Sequence, residues 1–443
     1  MKKTFLFLFL LSGSVFAMAG GLATNTNQSV AFLRNPARTA AIDVDGAYFN
    51  PAGTAFLSNG IHVGLSLQTA IQTRTIENTY APLALGVGND ATGIKNFKGN
   101  ALAPVIPGVH IVYNWDRWNF MAHFGVTGGG GKCEFKNGLG MFESALASQA
   151  YAQTAKYGTT INYNMNSSIT GTQYTFGLLV GTSYEAIREH LSVSLGVRVV
   201  YMYNRYEGSL KDMTLLMGST PVYKGADVSL DCRQQGWGAT PVIGLDYRIN
   251  SHWNLAVKYE CPTYIKLRNN ADNNEAAQAM TALSDYQDGV RNRNDLPGII
   301  SAGVQYSPIH QVRLAASYSF YDDKHAVRAT DTYKNNKGTH DAGFSIEGDV
   351  CKYLTLSAGW EGTYYGLSDA EMTDLSFNLS SNSLNVGMRI HCNDHWKLDL
   401  GYMHSFYMTR DVTRTYSEAL PLSYTSHFNR SNDVVGIGLV YDM

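Results

Sequence analysis

Of the 443 residues only 16% are charged, against roughly 25% in typical soluble proteins. Lysine plus arginine (34) nearly balances aspartate plus glutamate (36), and the net charge of −2 gives no electrostatic reason to expect a nucleic-acid partner. An apolar content of 44% argues against disorder, and near-neutral mean hydropathy argues against a bundle of membrane helices; with 43 glycines and 28 tyrosines the composition points to a large β-structure facing lipid.

The chain opens with Met1-Lys2-Lys3, a Phe/Leu-rich run from Thr4 to Ala17, and the small-residue pattern Ala17-Met18-Ala19. The apolar run is too short for a bilayer, which needs about 20 residues as a helix. Residues 1–19 are therefore expected to be a signal peptide cleaved after Ala19, and the mature protein to be exported.

Residues 20–60 are rich in small and polar side chains and contain Asn35-Pro36-Ala37 and Asn50-Pro51-Ala52. Proline fixes φ and biases its predecessor against the α region, so neither unit suits a strand or a long helix. Phe32, Leu33, Ile42, Val44, Tyr48, Phe49 and Phe56 are poorly placed in water. The segment reads as a plug folded into a lumen.

From residue 61 the pattern has period two, as in Leu191, Val193, Leu195, Val197 and Val199 alternating with Ser192, Ser194, Gly196 and Arg198. Fourteen strands are expected, over 61–77, 105–113, 117–126, 172–184, 190–206, 234–248, 253–268, 296–306, 311–322, 341–349, 353–365, 382–391, 396–407 and 433–442. Short turns alternate with long loops at 78–104, 127–171, 207–233, 269–295, 323–340, 366–381 and 408–432. That segregation, with Trp118, Trp253 and Trp396 beside short turns, predicts an all-β fold. It is a 14-stranded antiparallel transmembrane β-barrel over 61–443, with an N-terminal plug in the lumen. Its lipid partner is the outer membrane, and the barrel assembly machinery is expected to insert it.

The run Asp45-Gly46-Ala47-Tyr48-Phe49-Asn50-Pro51-Ala52-Gly53-Thr54, just ahead of such a barrel, resembles the plug signature of the FadL/TodX family. These are outer-membrane transporters of long-chain fatty acids and aromatic hydrocarbons. The layout matches over the whole mature chain, while only the plug motif, Asn50, Pro51 and Ala52 at its centre, is specific. The second Asn-Pro-Ala unit and the ending Val440-Tyr441-Asp442-Met443, without a terminal aromatic, depart from the family pattern. The resemblance implies passive transport of a hydrophobic small molecule, with capture at loop segments analogous to 139–155 and 207–233. It also implies sideways exit at a kinked third strand, for which Gly125, Gly128 and Gly129, within a run reaching Gly131, are the candidates. An ordinary flexible start to the loop reads the same residues equally well.

Arg198, Lys258 and Arg313 fall on the inward phase of their strands and are candidates for a fatty-acid carboxylate. The alternative is that such charges solvate the lumen and hold the plug through ion pairs. No catalytic motif occurs, and no cofactor or metal is expected. Cys133, Cys232, Cys261, Cys351 and Cys392 are too widely spaced for a zinc site; an even subset may pair, or all may be small apolar residues. A diffusion pore for polar solutes and a surface-binding adhesin are the competing functions.

Overall fold

The computed structural model describes residues 28–327 and 337–443. The expected signal peptide and residues 20–27 of the expected plug lie outside the described residues.

Fourteen antiparallel strands close into one barrel. They are β1 (Gly60–Thr79), β2 (Ile94–Trp115), β3 (Trp118–Phe135), β4 (Ile161–Ile187), β5 (Leu191–Met217), β6 (Val228–Arg248) and β7 (Trp253–Glu260, resuming as Lys266–Ala271). There follow β8 (Arg291–Arg293, resuming as Ile299–Ile309), β9 (Val312–Tyr321), β10 (Thr339–Cys351), β11 (Leu354–Tyr365), β12 (Ser381–His391), β13 (Trp396–Tyr407, resuming as Arg410–Thr415) and β14 (Ser423–Asp442). A short strand, Thr220–Lys224, folds back on the end of β5. Closure is by β1 against β14, from His62 opposite Asp442 to Thr79 opposite Thr425. It leaves no free sheet edge, the condition for a sheet to cross a bilayer.

The strand number agrees with the periodicity, but several strands run further. The segment 207–233, expected as a capture loop, is mostly ladder: β5 pairs with β6 out to Leu210 opposite Val228. β2 starts at Ile94, β4 at Ile161 and β14 at Ser423. Beyond the lipid band both faces of a strand meet polar surroundings, so the alternation fades although the backbone ladder continues.

Within the band the two faces differ sharply. On β1 the outward Leu65, Leu67 and Ile71 are exposed while the inward His62, Ser66 and Gln68 are buried. Trp118, Trp253 and Trp396 are exposed at the strand starts beside the short turns, where an interfacial girdle belongs. All five cysteines are unpaired thiols.

Residues 28–59 occupy the lumen. Helix α1 (Val30–Arg34), N-capped by the Ser29 hydroxyl accepting from Phe32 N, lies on a row formed by Gly387, Gly401 and Gly436 on β12–β14. A Cβ there would come within 2.5 Å of Arg34 Cβ, 2.7 Å of Leu33 Cβ and 2.8 Å of Val30 Cγ2 respectively, so glycine makes room for the helix. Pro36 similarly seats on Gly359.

Ion pairs then lock the segment to the wall. Arg34 contacts Glu347 and lies 3.2 Å from Asp399; Arg38 bridges Asp43 (3.0 Å) and Asp45 (2.5 Å); Arg389 reaches Asp43 (2.9 Å) and Asp399 (2.8 Å). Burial opposes the charge on Asp43, but Arg389 and Arg38 outweigh it and hold its carboxyl well below the usual carboxylate range.

Because that value is lowered in the folded protein, the Asp43 contribution is present at neutral pH and is lost only as pH falls through the lowered value. Protease resistance of the plug should hold down to about pH 4 and fail in stronger acid; loss near pH 6 would contradict the assignment. Arg34→Ala leaves two buried carboxylates short of a partner and should cost about 3–5 kcal/mol. An unchanged thermal midpoint of the purified barrel would show that the pair does not hold the plug.

Candidate ligand-binding site

The sequence-predicted cations are all inward-facing, and each has a carboxylate partner. Arg198 on β5 donates to Glu260 (2.6 Å) and Lys258 on β7 lies 2.7 Å from the same carboxylate. Both sit over the ring of Tyr48 in the plug, at 4.7 and 4.8 Å, and Lys258 Nζ donates to the Tyr48 carbonyl at 2.9 Å. Arg198 Nε and Nη2 have no hydrogen-bond partner among the described residues. Arg313 is elsewhere. It pairs with Glu347 and Asp349, both at 2.7 Å, near the short-turn end. Through the β8–β9 register it stands six residues below the level of Lys258, roughly 20 Å along the strands. The three therefore do not form one site.

The plug motif is anchored in the same lower half. Asn50 Nδ2 donates to Asp246 (2.5 Å) on β6 and its Oδ1 accepts from Gly53 N (3.2 Å). Thr54 Oγ1 donates to Asn119 Oδ1 (3.0 Å) on β3, and Asn114 on β2 donates to the Thr54 carbonyl (3.0 Å).

The wall is open at one place in β3. Gly125 pairs with Gly108 and Lys132 with Leu102, but 126–131 on β3 and 103–107 on β2 do not pair. Pro104 and Pro107 supply no N–H on the β2 side, and on the β3 side the register to β4 slips twice, between Val126 and Gly128 and between Gly128 and Gly131. Gly129 has φ +102° and an added Cβ would lie 2.4 Å from Gln173 O. Gln28, at the start of the described plug, closes the lower edge of this gap. Its side-chain N–H donates to Val126 O (2.6 Å), and its carbonyl lies 3.0 Å from His110 Nε2. Gly125 gives room for its side chain, since a Cβ there would lie 2.5 Å from Gln28 Oε1.

A cavity of about 70 Å³ reaches the gap at Gly131. Its lining includes Gly131, Cys133, Phe135, Leu139, Ile169 and Leu375, with Tyr206 and the guanidinium of Arg74. Arg74 faces Arg430 directly across the β1–β14 ladder, and neither forms an ion pair among the described residues. Arg74 is 7% exposed and donates to the Gln72 amide oxygen at 2.9 Å, with Phe377 at 5.9 Å from its guanidinium. Arg430 lies over the Tyr407 ring at 4.7 Å, its Nε unpartnered. Two like charges opposite one another in an apolar surround are costly without an anion between them.

Residues 366–380, expected as a surface loop, fold inward over this cavity. Leu367, Met372, Leu375, Phe377 and Leu379 are buried against Ile76, Phe97 and Phe428. Asp374 ties the loop down, accepting from Tyr424 Oη (3.0 Å), Ser426 Oγ (3.1 Å) and Met141 N (2.9 Å); burial pushes its carboxyl up. Met141 belongs to α2 (Gly140–Tyr157), the helix within the expected capture segment 139–155. An apolar groove beside this helix, lined by Phe142, Leu210, Leu230, Met280 and Leu283, shares Ile169 with the inner cavity. Arg74 lies within the first expected strand, 61–77, whereas Arg430 falls outside the last one, 433–442, and its inward phase emerges only once β14 starts at Ser423.

Solved structures share the fold. A FadL homologue of Pseudomonas aeruginosa matches with a TM-score of 0.67 at 14% identity, over 95% of this chain and 99% of its own. The P. putida toluene transporter TodX matches at 0.57 and 13% identity, over 91% and 95%. The Ralstonia pickettii toluene transporter TbuX matches at 0.55 and 12% identity, over 93% and 98%. The sequence matches no protein-family profile and no curated protein.

The two glycines bordering the gap should respond differently to substitution. Gly129→Val forces a branched side chain into a left-handed position against a backbone oxygen and should lose about 1–3 kcal/mol. Gly125→Ala meets side-chain ends alone, Gln28 Oε1 at 2.5 Å and the His123 ring at 3.0 Å, and should lose less, about 0.5–1 kcal/mol. Thermal unfolding of the two purified variants decides it; equal losses would mean the strand is not held by its bulge.

Proposed function

We propose that the protein lies in the outer membrane and conducts hydrophobic small molecules passively, from the groove beside α2, through the inner cavity, to the gap between β2 and β3. The observation that carries this reading is the junction of cavity and gap: Gly131 belongs to the unpaired stretch of β3 and also lines the apolar cavity. The plug, locked by Arg34, Arg38 and Arg389, blocks a straight route along the axis, which favours sideways release. The structures of similar fold include proteins described as toluene transporters, which is consistent with an apolar cargo here.

The headgroup contact proposed for a long-chain fatty acid is the Arg74–Arg430 pair, with the acyl chain along Phe135, Leu139 and Ile169. Burial at about 0.8 kcal/mol per CH₂ supplies most of the affinity, and the two guanidinium groups fix orientation. Arg198 and Lys258 form a second, inner station in this scheme, because Arg198 keeps two unpartnered N–H-bearing nitrogens despite its bond to Glu260. Arg313, held by two carboxylates, is assigned to the plug latch.

Liposomes with a lipopolysaccharide outer leaflet and protein-free controls test the transport. Protein-dependent fatty-acid uptake without uptake of a sugar of similar mass is expected; equal sugar uptake would make the protein a diffusion pore. Arg74→Gln combined with Arg430→Gln should weaken binding of a long-chain fatty acid by on the order of 10–100-fold and leave a neutral aromatic hydrocarbon nearly unaffected. If only the Arg198→Gln and Lys258→Gln pair weakens binding, the headgroup station is the inner one.

A further inference from the structure

A second cluster of basic side chains faces the opposite way, out of the barrel. On β5–β8, towards the loop end, Arg205 stands opposite Arg233, Gln235 opposite Arg268, Arg268 opposite Arg291, and Lys266 opposite Arg293. The neighbouring inward positions Cys232, Gln234, Leu267 and Asn269 are buried, which fixes the outward phase of the basic residues. Arg205 is neutralised by Asp231 and Glu207, both at 2.9 Å, and Arg293 by Asp295. Arg233, Lys266, Arg268 and Arg291 are exposed and make no ion pair among the described residues.

Cross-strand neighbours in a sheet stand about 5 Å apart, and like charges so placed repel. This wall nevertheless carries, on three adjacent strands, four cations that make no ion pair among the described residues. Immediately below them, towards the short-turn end, the outward residues become aromatic: Trp237 (67% exposed), tilted against Tyr201 at 4.7 Å, and Tyr264 (68% exposed), under the Arg293 guanidinium at 5.6 Å. Below those lie the exposed apolar Ile243, Leu245 and Val257. At the aromatic level the wall is notched. β7 breaks between Glu260 and Lys266 and β8 between Arg293 and Ile299; across the break Thr263 pairs with Leu296, and Asn294 N donates to Ile265 O at 2.9 Å. The recess is lined by Trp237, Tyr264, Ile265, Lys266 and Arg293.

The vertical order of cation, aromatic ring and apolar surface is that of an amphiphile with an anionic head. Guanidinium groups bond phosphate oxygens in a bidentate fork, and aromatic rings prefer the boundary between headgroup and acyl chain. We propose that the outer wall of β5–β8 binds a phosphorylated, multiply acylated glycolipid of the leaflet at the loop end. Its phosphates lie on Arg233, Lys266, Arg268 and Arg291, its sugar lies against Trp237 and Tyr264 in the notch, and its acyl chains follow the apolar wall below. This inference rests on the outer-membrane reading above but not on the route of the cargo.

Native mass spectrometry of the full-length protein in nonionic detergent tests it, with diphosphorylated lipid A, lipid A stripped of both phosphates, and inorganic phosphate as probes. Retention of the diphosphorylated lipid alone is expected. Combining Arg233→Gln, Lys266→Gln, Arg268→Gln and Arg291→Gln should weaken that retention by on the order of 100-fold. Equal retention of the dephosphorylated lipid by the unaltered protein would overturn the proposal without any variant, as would tight binding of inorganic phosphate alone. Equal retention by a folded variant would overturn it too. Fatty-acid uptake separates the two readings: lost lipid binding with intact uptake in the four-residue variant supports this site, while unchanged uptake in the Arg74/Arg430 variant with intact lipid binding counts only against the cargo scheme.

Discussion

Backbone hydrogen bonding in lipid is the constraint on which this molecule depends. Every N–H and C=O that crosses the hydrocarbon layer needs a partner within the protein, and a closed antiparallel ladder provides one at each position. The β1–β14 pairing from His62 to Thr79 completes that ladder. Against such a background the unpaired stretch between 103–107 and 126–131 stands out as a built feature. Two prolines reduce the donors on one side, glycines allow a double bulge on the other, and a plug side chain satisfies Val126 O at the edge. The opening adjoins the apolar cavity at Gly131.

Charge is distributed so as to complement that opening. In the lower lumen, arginines and carboxylates alternate in contact, from Arg313 through Glu347, Arg34 and Asp399 to Arg389 and Asp43. Removing either partner from such a network strands a buried charge, so the network fixes the plug more than it adds net stability. In the upper lumen Arg74 and Arg430 face each other without an ion pair among the described residues, and Arg74 lines the cavity together with Asp374. The outer wall repeats the pattern at Arg233, Lys266, Arg268 and Arg291. Balanced charge marks the places that hold the protein together, and the cations without an ion pair are the ones to which the proposals above assign ligands.

Glycine content acquires a physical role in the same scheme. Gly387, Gly401 and Gly436 form a flat track for α1, Gly359 receives Pro36, and Gly53 leaves space for Asn50 beside Asp246. The Asn50-Pro51-Ala52 run matters because one amide side chain joins the wall and its own turn at once. Asn35-Pro36-Ala37 works differently: Pro36 meets a wall glycine, and Ala37 N donates to Ser345 Oγ at 2.9 Å.

The sequence by itself determined the strand number, the antiparallel order, the inward phase of Arg198, Lys258 and Arg313 and the glycine run of β3, because a period of two along a lipid-facing strand is a local property. Strand ends were less legible: outside the lipid both faces are polar, so 207–217 read as loop although it is ladder. The inward fold of Leu375, Phe377 and Leu379 was hidden because a loop carries no period to decode. Only the tertiary structure decided which charges are neutralised. Arg198, Lys258 and Arg313 look equivalent along the chain, yet each meets a carboxylate, whereas Arg74 and Arg430, near opposite ends of the sequence, meet each other. That outcome depends on barrel closure and on the shear between strands, and neither is written in the neighbourhood of any one residue.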